Sequence, residues 1–207
     1  VKQLESGKNI ALVSDAGTPT LSDPGFRLVQ AAIGAGVSVV PVPGPSALLA
    51  VLSASGLPTD RFAFEGFLPA KRGERREKLQ ALAAETRTLV FYEAPHRIKE
   101  TLADMLELFG DRAAAIGREV TKLHEEFVRG RLSEALAALE AKEPRGEITL
   151  AVAGSTGERR PSESALEDEI DAMLSKGLRI KEIAEILGEK FDYPKKEIYR
   201  MTLERRK

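Results

Sequence analysis

Residues 14–25 read SDAGTPTLSDPG, and they follow NIALV at 9–13, an apolar run that predicts a buried strand. A strand running into Ser-Asp-Ala-Gly-Thr-Pro does more than end. Gly17 reaches backbone angles closed to other residues, and Pro19 removes a donor and fixes the turn. Ser14, Asp15 and Thr18 place hydrogen-bonding side chains at the carboxyl end of the strand, the edge at which open α/β sheets bind ligands. The pattern is neither GxGxxG nor a Walker loop, so it points to neither a dinucleotide nor a triphosphate. Its plainer reading is a tight strand-to-helix connection whose Ser and Asp only cap a helix.

The chain of 207 residues is long enough for one large or two small domains. With 31 Lys and Arg against 32 Asp and Glu, bulk charge predicts no polyanion partner and leaves only local patches. The absence of cysteine excludes disulfides, thiol catalysis and cysteine-ligated metals, and suits a reducing cytoplasm. No apolar run approaches the length of a membrane span and no signal peptide is visible, so a cytoplasmic location without a membrane partner is expected. The first residue is Val and the chain starts almost inside a structural unit, which reads as a protein longer at this end.

Outward from the opening loop the pattern alternates β and α. DPGFRLVQAAIGAG (23–36) reads as a helix capped by Asp23, VSVVPV (37–42) as a second strand, PGP (43–45) as a break, and SALLAVLSASG (46–56) as an apolar helix. A second block reads as strand 61–68, charged helix 71–85, strand 88–94, helix 95–110, paired strands 112–121 and 125–131, helix 132–142 and strand 146–154. The expectation is a mixed sheet with helices on its faces. STGERRPSES (155–164) reads as a linker, and three short amphipathic helices follow, the last two resembling a helix-turn-helix. Ile180, Ile183, Ile186 and Leu187 recur at helical spacing and predict a small core there.

Three further stretches are candidates for chemistry. VPGPSAL (42–48) repeats the opening theme, and the N–H groups around Ser46 and Ala47 are suited to a carboxylate or a ribose hydroxyl, unless the turn is only a serine-capped hinge. FYEAPHR (91–97) puts Glu93, His96 and Arg97 near a strand end, and GREVTK (117–122) carries Arg118, Glu119, Thr121 and Lys122, whose plainer reading is a charged edge strand. AKRGERRE (70–77) clusters Lys71, Arg72, Arg75 and Arg76, either a solvated helix face or a phosphate-binding arm. Lys195, Lys196, Arg200, Arg205 and Arg206 crowd the last helix. The two histidines, His96 and His124, show no metal-ligand spacing, and no metal is expected.

Together SDAGTPTLSDPG (14–25), VPGPSA (42–47), FEGFLPAKRGERR (64–76), LVFYEAPHR (89–97), GREVTKLHEE (117–126) and GEITLAVAG (146–154) resemble the tetrapyrrole methylase superfamily, and most closely its bacterial ribosomal RNA small subunit methyltransferase I family. The resemblance covers 9–154 nearly end to end, and DAGTP-x-x-SDPG is its most specific part. It implies two α/β domains with S-adenosylmethionine in the cleft between them. Residues 1–42 would then be the end of an incomplete first domain, 43–154 the second, 155–163 a linker and 164–207 a helical tail domain. The family's opening strand and loop are absent, so the chain reads as roughly two-thirds of a longer protein that is inactive as a fragment. Asp15, Ala16, Gly17 and Thr18 are implied to contact the cofactor, as are Ser46, Ala47, Tyr92 and Glu93. Glu93 departs from the pattern, because relatives often carry Met there, and this leaves it open to another role.

The implied activity is 2′-O-methylation of a cytidine ribose in the decoding region of 16S rRNA within the 30S subunit, by a homodimer. The sulfonium methyl is already activated, so the enzyme aligns a hydroxyl with it and excludes water. Glu93, His96 and Glu119 are the candidate bases and Lys122 or Arg97 the candidate cation for the developing alkoxide. Lys71, Arg72, Arg75 and Arg76 form the expected RNA-binding arm, with Lys195, Lys196 and Arg200 in the tail. The alternatives are a tetrapyrrole or diphthine-type methyltransferase of the same superfamily, and a non-enzymatic helix-turn-helix regulator binding nucleic acid.

Overall fold

A computed structural model describes residues 1–140, 144–156, 163–191 and 193–205. The chain divides into two compact units, Val1–Gly154 and Ser155–Lys207. Most of the linker at 155–163 lies outside the described residues, as does Arg206.

The first unit is built on one sheet. Its strands are β1 (Phe62–Phe67), β2 (Thr88–Glu93), β3 (Ala113–Arg118), β4 (Glu126–Arg131) and β5 (Ile148–Val152), in the order β1-β2-β5-β3-β4. β1 and β2 are parallel, while β5 runs antiparallel to both β2 and β3, and β4 antiparallel to β3. The carboxyl ends of β1, β2 and β3 therefore share one edge with the starts of β4 and β5. The helices are α1 (Lys2–Glu5), α2 (Phe26–Gly34), α3 (Ala47–Ala54), α4 (Arg72–Leu82), α5 (Ile98–Phe109) and α6 (Leu132–Glu140). This is the mixed α/β architecture that the alternating sequence predicts.

Alternation along the strands sorts the two faces. Leu89 and Phe91 of β2, Ile116 of β3 and Leu150 of β5 pack with Leu79 of α4, Leu102 and Met105 of α5 and Leu132 of α6. Val90, Tyr92 and Ala151 point the other way, onto Leu48, Val51 and Leu52 of α3.

Two predicted strands are absent. Residues 9–13 and 37–42 form no strand, and Val13, Val40 and Val42 are exposed at 81%, 77% and 85%. An apolar run signals burial, but a strand exists only where a neighbour completes its hydrogen bonds, and no described residue supplies that ladder. The helix read at 23–36 starts only at Phe26, because Gly25 takes a φ of 130° and is its N-cap, so Asp23 does not cap it.

The second unit consists of α7 (Glu163–Ser175), α8 (Ile180–Lys190) and α9 (Lys195–Arg205). Leu166, Ile170, Ile183, Leu187 and Ile198 form its core. Ile186 is not part of that core. It is 42% exposed, because it falls on the outer face of α8.

The basic run at 71–76 also differs from expectation. α4 lies against α5, and three of its arginines turn onto one buried carboxylate. Arg75 and Asp104 have side chains 1% and 2% exposed, with Arg75 Nε 2.8 Å from Oδ2. Arg72 Nε and Arg76 Nη1 reach the other oxygen at 3.3 and 3.0 Å. Arg75 Nη2 also meets Glu100 at 3.2 Å, and Arg76 meets Glu107 at 2.5 Å. Burial pushes the Asp104 carboxyl up, but the hydrogen bonds from Arg75, Arg76 and Arg72 outweigh it and hold it below its ordinary value. Arg75 is thus an interior residue, a correction to its place in the RNA-binding arm. Its Nη1 is buried without a partner among the described residues, so the packing of this pair is strict.

Removing one member of a buried pair strands the other. Asp104→Ala is expected to destabilise the protein by about 3–5 kcal/mol in denaturant unfolding, and Arg75→Met with Asp104→Leu to lose far less. With the folded carboxyl held below its unfolded value, this stabilisation is full above pH ~4 and is lost as the pH falls through the lowered folded value. A near-native Asp104→Ala variant would contradict the arrangement.

Candidate active site

The two loops singled out in the sequence meet. The Thr18 hydroxyl donates to the Pro45 carbonyl at 3.0 Å, which ties the turn after 9–13 to the entry of α3. Ser14 Oγ folds back onto the Ala16 carbonyl at 2.8 Å and so holds the turn. Ser22 Oγ lies 3.1 Å from where a side chain at Gly66 would stand, so the same loop reaches the carboxyl end of β1. Ser46 caps α3, its side chain accepting from Leu49 N–H at 3.4 Å. Ala47 begins the helix beside it.

Tyr92 joins this group from β2. Its ring packs edge-on to Phe64, 4.9 Å between centroids, and against Phe67 at 5.7 Å. Burial pushes its hydroxyl up, while hydrogen bonds to the Leu48 backbone and the Ser46 side chain pull it down. Asp15, Ala16, Gly17, Thr18, Ser46, Ala47 and Tyr92 therefore belong to one neighbourhood.

Glu93 does not belong to it. β2 stays paired to β5 through Glu93, which lies opposite Ile148, so its side chain points to the opposite face from that of Tyr92. It is 2% exposed. Its carboxylate accepts from its neighbour Ala94 N–H at 2.7 Å, from Thr101 Oγ1 at 2.8 Å and from Arg97 Nε. The structure makes it an anchor for the start of α5, a correction to its roles as candidate base and cofactor contact. Arg97, spent on Glu93, leaves the list of free cations with it.

Glu119 and Lys122 sit on the tight turn between β3 and β4, where Glu119 and Thr121 have φ of 48° and 67°. Among the described residues four that are not glycine take such angles, and they fall in the two motif loops, Thr20 and Ser22 in one and Glu119 and Thr121 in the other. Strain of this kind collects at functional loops. Glu119 accepts from Glu147 N–H at 2.8 Å and from Lys122 Nζ at 3.0 Å, and Lys122 also reaches Glu147 at 3.1 Å. The Glu147 N–H and Lys122 hold the Glu119 carboxyl below its ordinary value, while Glu119 and Glu147 raise Lys122. A carboxylate held this way is a poor proton acceptor, and its partner is a firmly fixed cation.

His96 is exposed at the start of α5, apart from Tyr92. Of the expected arm, Lys71 and Arg72 are 83% and 70% exposed, Lys71 pairing with Glu74 at 3.1 Å. Arg76 is 29% exposed. In the second unit Lys195 pairs with Glu189 at 3.2 Å, and Lys196 and Arg200 are exposed on α9. Arg205 is drawn onto Glu167 and Asp171. Among the described residues no group of three or more acidic or histidine side chains is arranged to hold a metal, and no helix is long and apolar enough to cross a membrane.

The chain matches the family model of the tetrapyrrole (corrin/porphyrin) methylases over residues 1–136 and belongs to that family. A relative from Synechocystis sp. is 47% identical over 205 residues, covering 98% of this chain and 74% of its own. One from Bacillus subtilis is 43% identical over 205 residues, covering 96% and 70%. Both are named ribosomal RNA small subunit methyltransferase I. Among solved structures the methyltransferase CobJ is similar in fold, with a TM-score of 0.56 and 21% identity over 78% of this chain and 70% of that one.

The turn at 119–125 rests on a close approach. A side chain at Gly146 would stand 2.5 Å from the Glu119 carboxyl, and its φ is +81°. Gly146→Ala is expected to cost about 1–3 kcal/mol and to speed hydrogen exchange selectively across 119–125. Unchanged exchange there would show that Glu119 does not hold the turn.

Proposed function

We propose that this protein transfers the methyl group of S-adenosylmethionine to a ribose 2′-oxygen of a cytidine in 16S rRNA of the 30S subunit. The observation that carries the reading is the bond from Thr18 to Pro45, which brings the two motif loops together beside Tyr92. The donor set fits the cofactor. Ser14, Thr18, Ser46 and the N–H groups at the start of α3 suit a carboxylate and ribose hydroxyls, and the exposed Asp15 carboxylate suits an ammonium or a ribose edge. The rings of Tyr92, Phe64 and Phe67 offer an apolar wall. The relatives' shared name supports RNA as the substrate over a tetrapyrrole or a protein.

When bound, the cofactor supplies an electrophilic methyl on a sulfonium. The carbon–sulfur bond breaks as a carbon–oxygen bond forms to the ribose, and the hydroxyl proton ends in solvent. The chain's own part is alignment and electrostatics. The loops at 14–18 and 46–47 orient, Tyr92 excludes water, and Lys122, fixed by Glu119 and Glu147, offers a cation to the developing oxygen charge. A homodimer is part of this reading.

The test is incubation of the full-length protein with labelled S-adenosylmethionine and 30S subunits, followed by mapping of the label. Label is expected on one cytidine ribose, and label on a base, or none on RNA, would overturn the reading. Thr18→Val removes one neutral hydrogen bond and is expected to weaken S-adenosylhomocysteine binding about 2- to 10-fold with little loss of stability. Unchanged affinity would separate this bond from the cofactor.

A further inference from the structure

Many cationic side chains of the first unit pair with acids. Arg72, Arg75 and Arg76 hold Asp104, Lys78 holds Glu65, Arg87 holds Glu85, Arg97 holds Glu93, and Lys122 holds Glu119 and Glu147. His96 and Lys99 differ. Neither has an acidic partner among the described residues, and both face one cleft.

That cleft has a volume of about 440 Å³ and is lined by Pro95, His96, Lys99, Pro144, Arg145 and Gly146. Among the described residues its lining holds His96, Lys99 and Arg145 and no acid. The nearest carboxylates are already engaged. Glu119 lies against Gly146 but accepts from Lys122 and the Glu147 N–H, Glu147 is bridged by Lys122, and Glu100 is drawn to Arg75. The segment carrying Arg145 is pinned, because its carbonyl accepts from Arg118 Nη1 at 3.3 Å. The cleft sits where β2 runs into α5 and 144–147 runs into β5, at the sheet edge that also carries Tyr92 and the Lys122 turn.

We infer that this cleft is a subsite for a backbone phosphate of the RNA strand, next to the nucleotide whose ribose is methylated, with His96 and Lys99 as its donors. The inference rests on the proposed function for its substrate. It gives the RNA a path that the buried Arg75 denies to the 71–76 run. Pro95 and Pro144 offer apolar faces to a ribose, and the size lies within the ~300–1,000 Å³ of small-ligand clefts. A compact substrate would lie wholly on the Tyr92 side of the edge, whereas a polynucleotide can cross it. His96 is then a binding residue, not the base.

The test uses the whole chain and the variants His96→Ala/Lys99→Ala and Lys99→Arg. Titration with a short single-stranded RNA, followed by the His96 ring resonances, is expected to shift them at concentrations well below those of inorganic phosphate that do the same. Equal response to both would make the cleft a generic anion site, and no response would remove it. For 30S binding, the double variant is expected to lose about 10-fold in affinity. The slope of log affinity on log salt should flatten by about one unit per lost contact, with Lys99→Arg near the parent and S-adenosylhomocysteine affinity unchanged in all. A double variant with the parent's affinity and slope would overturn the subsite while leaving methyl transfer standing. A parent that fails to methylate 30S subunits yet shifts His96 with RNA would overturn the function and leave the cleft.

Discussion

The pairing of β2 with β5 through Glu93 and Ile148 governs what can meet at the sheet edge. While the ladder holds, neighbouring side chains must leave on opposite faces. Tyr92 goes to the α3 face, where the Leu48 backbone and Ser46 reach its hydroxyl. Glu93 goes to the α5 face, where Thr101, Arg97 and the Ala94 N–H enclose it. One residue of alternation thus separates the Tyr92 ring from a structural anchor. A slip of one residue would exchange the two and place a carboxylate on the α3 face.

The same economy of charge runs through the α4–α5 contact. Three arginines converge on the buried Asp104, and the pair at its centre is worth more as a specifier of register than as net stability. It fixes which face of α4 turns inward, and so sets Lys71 and Arg72 outward. The fold therefore spends many of its cations on its own acids, and a balanced chain of net charge −1 can still present local basic ground at His96 and Lys99 and on α9.

Much of this was legible in the sequence. β1, β2, β3 and β5 are mostly apolar runs bounded by Gly, Pro or charge, and α3 to α6 have clear ends, so most of the mixed sheet followed from pattern alone. The meeting of SDAGTP with VPGPSA was expected from their shared turn chemistry, although the strands read before them are absent. What failed to show was orientation and distance in the chain. Whether β2 ended at Glu93 or earlier decided its face, and a carboxylate is seldom read as interior. Arg75 precedes Leu79 by one helical turn and so shares the apolar stripe, a signal that was present but masked by its charge. Its partner Asp104, between Leu102 and Met105, carries the same signal 29 residues away. The runs at 9–13 and 37–42 show the converse, for they have strand composition and no ladder among the described residues.

The central claim is that cofactor binds where the 14–18 and 46–47 loops meet, on the Tyr92 side of the sheet, and not on the Glu93 side. Hydrogen–deuterium exchange with and without S-adenosylhomocysteine reads this directly. The account predicts slowed exchange across 14–18 and 45–49, with residues 95–101 unchanged. Protection confined to 95–101, with the two loops exchanging as in the free protein, would contradict it.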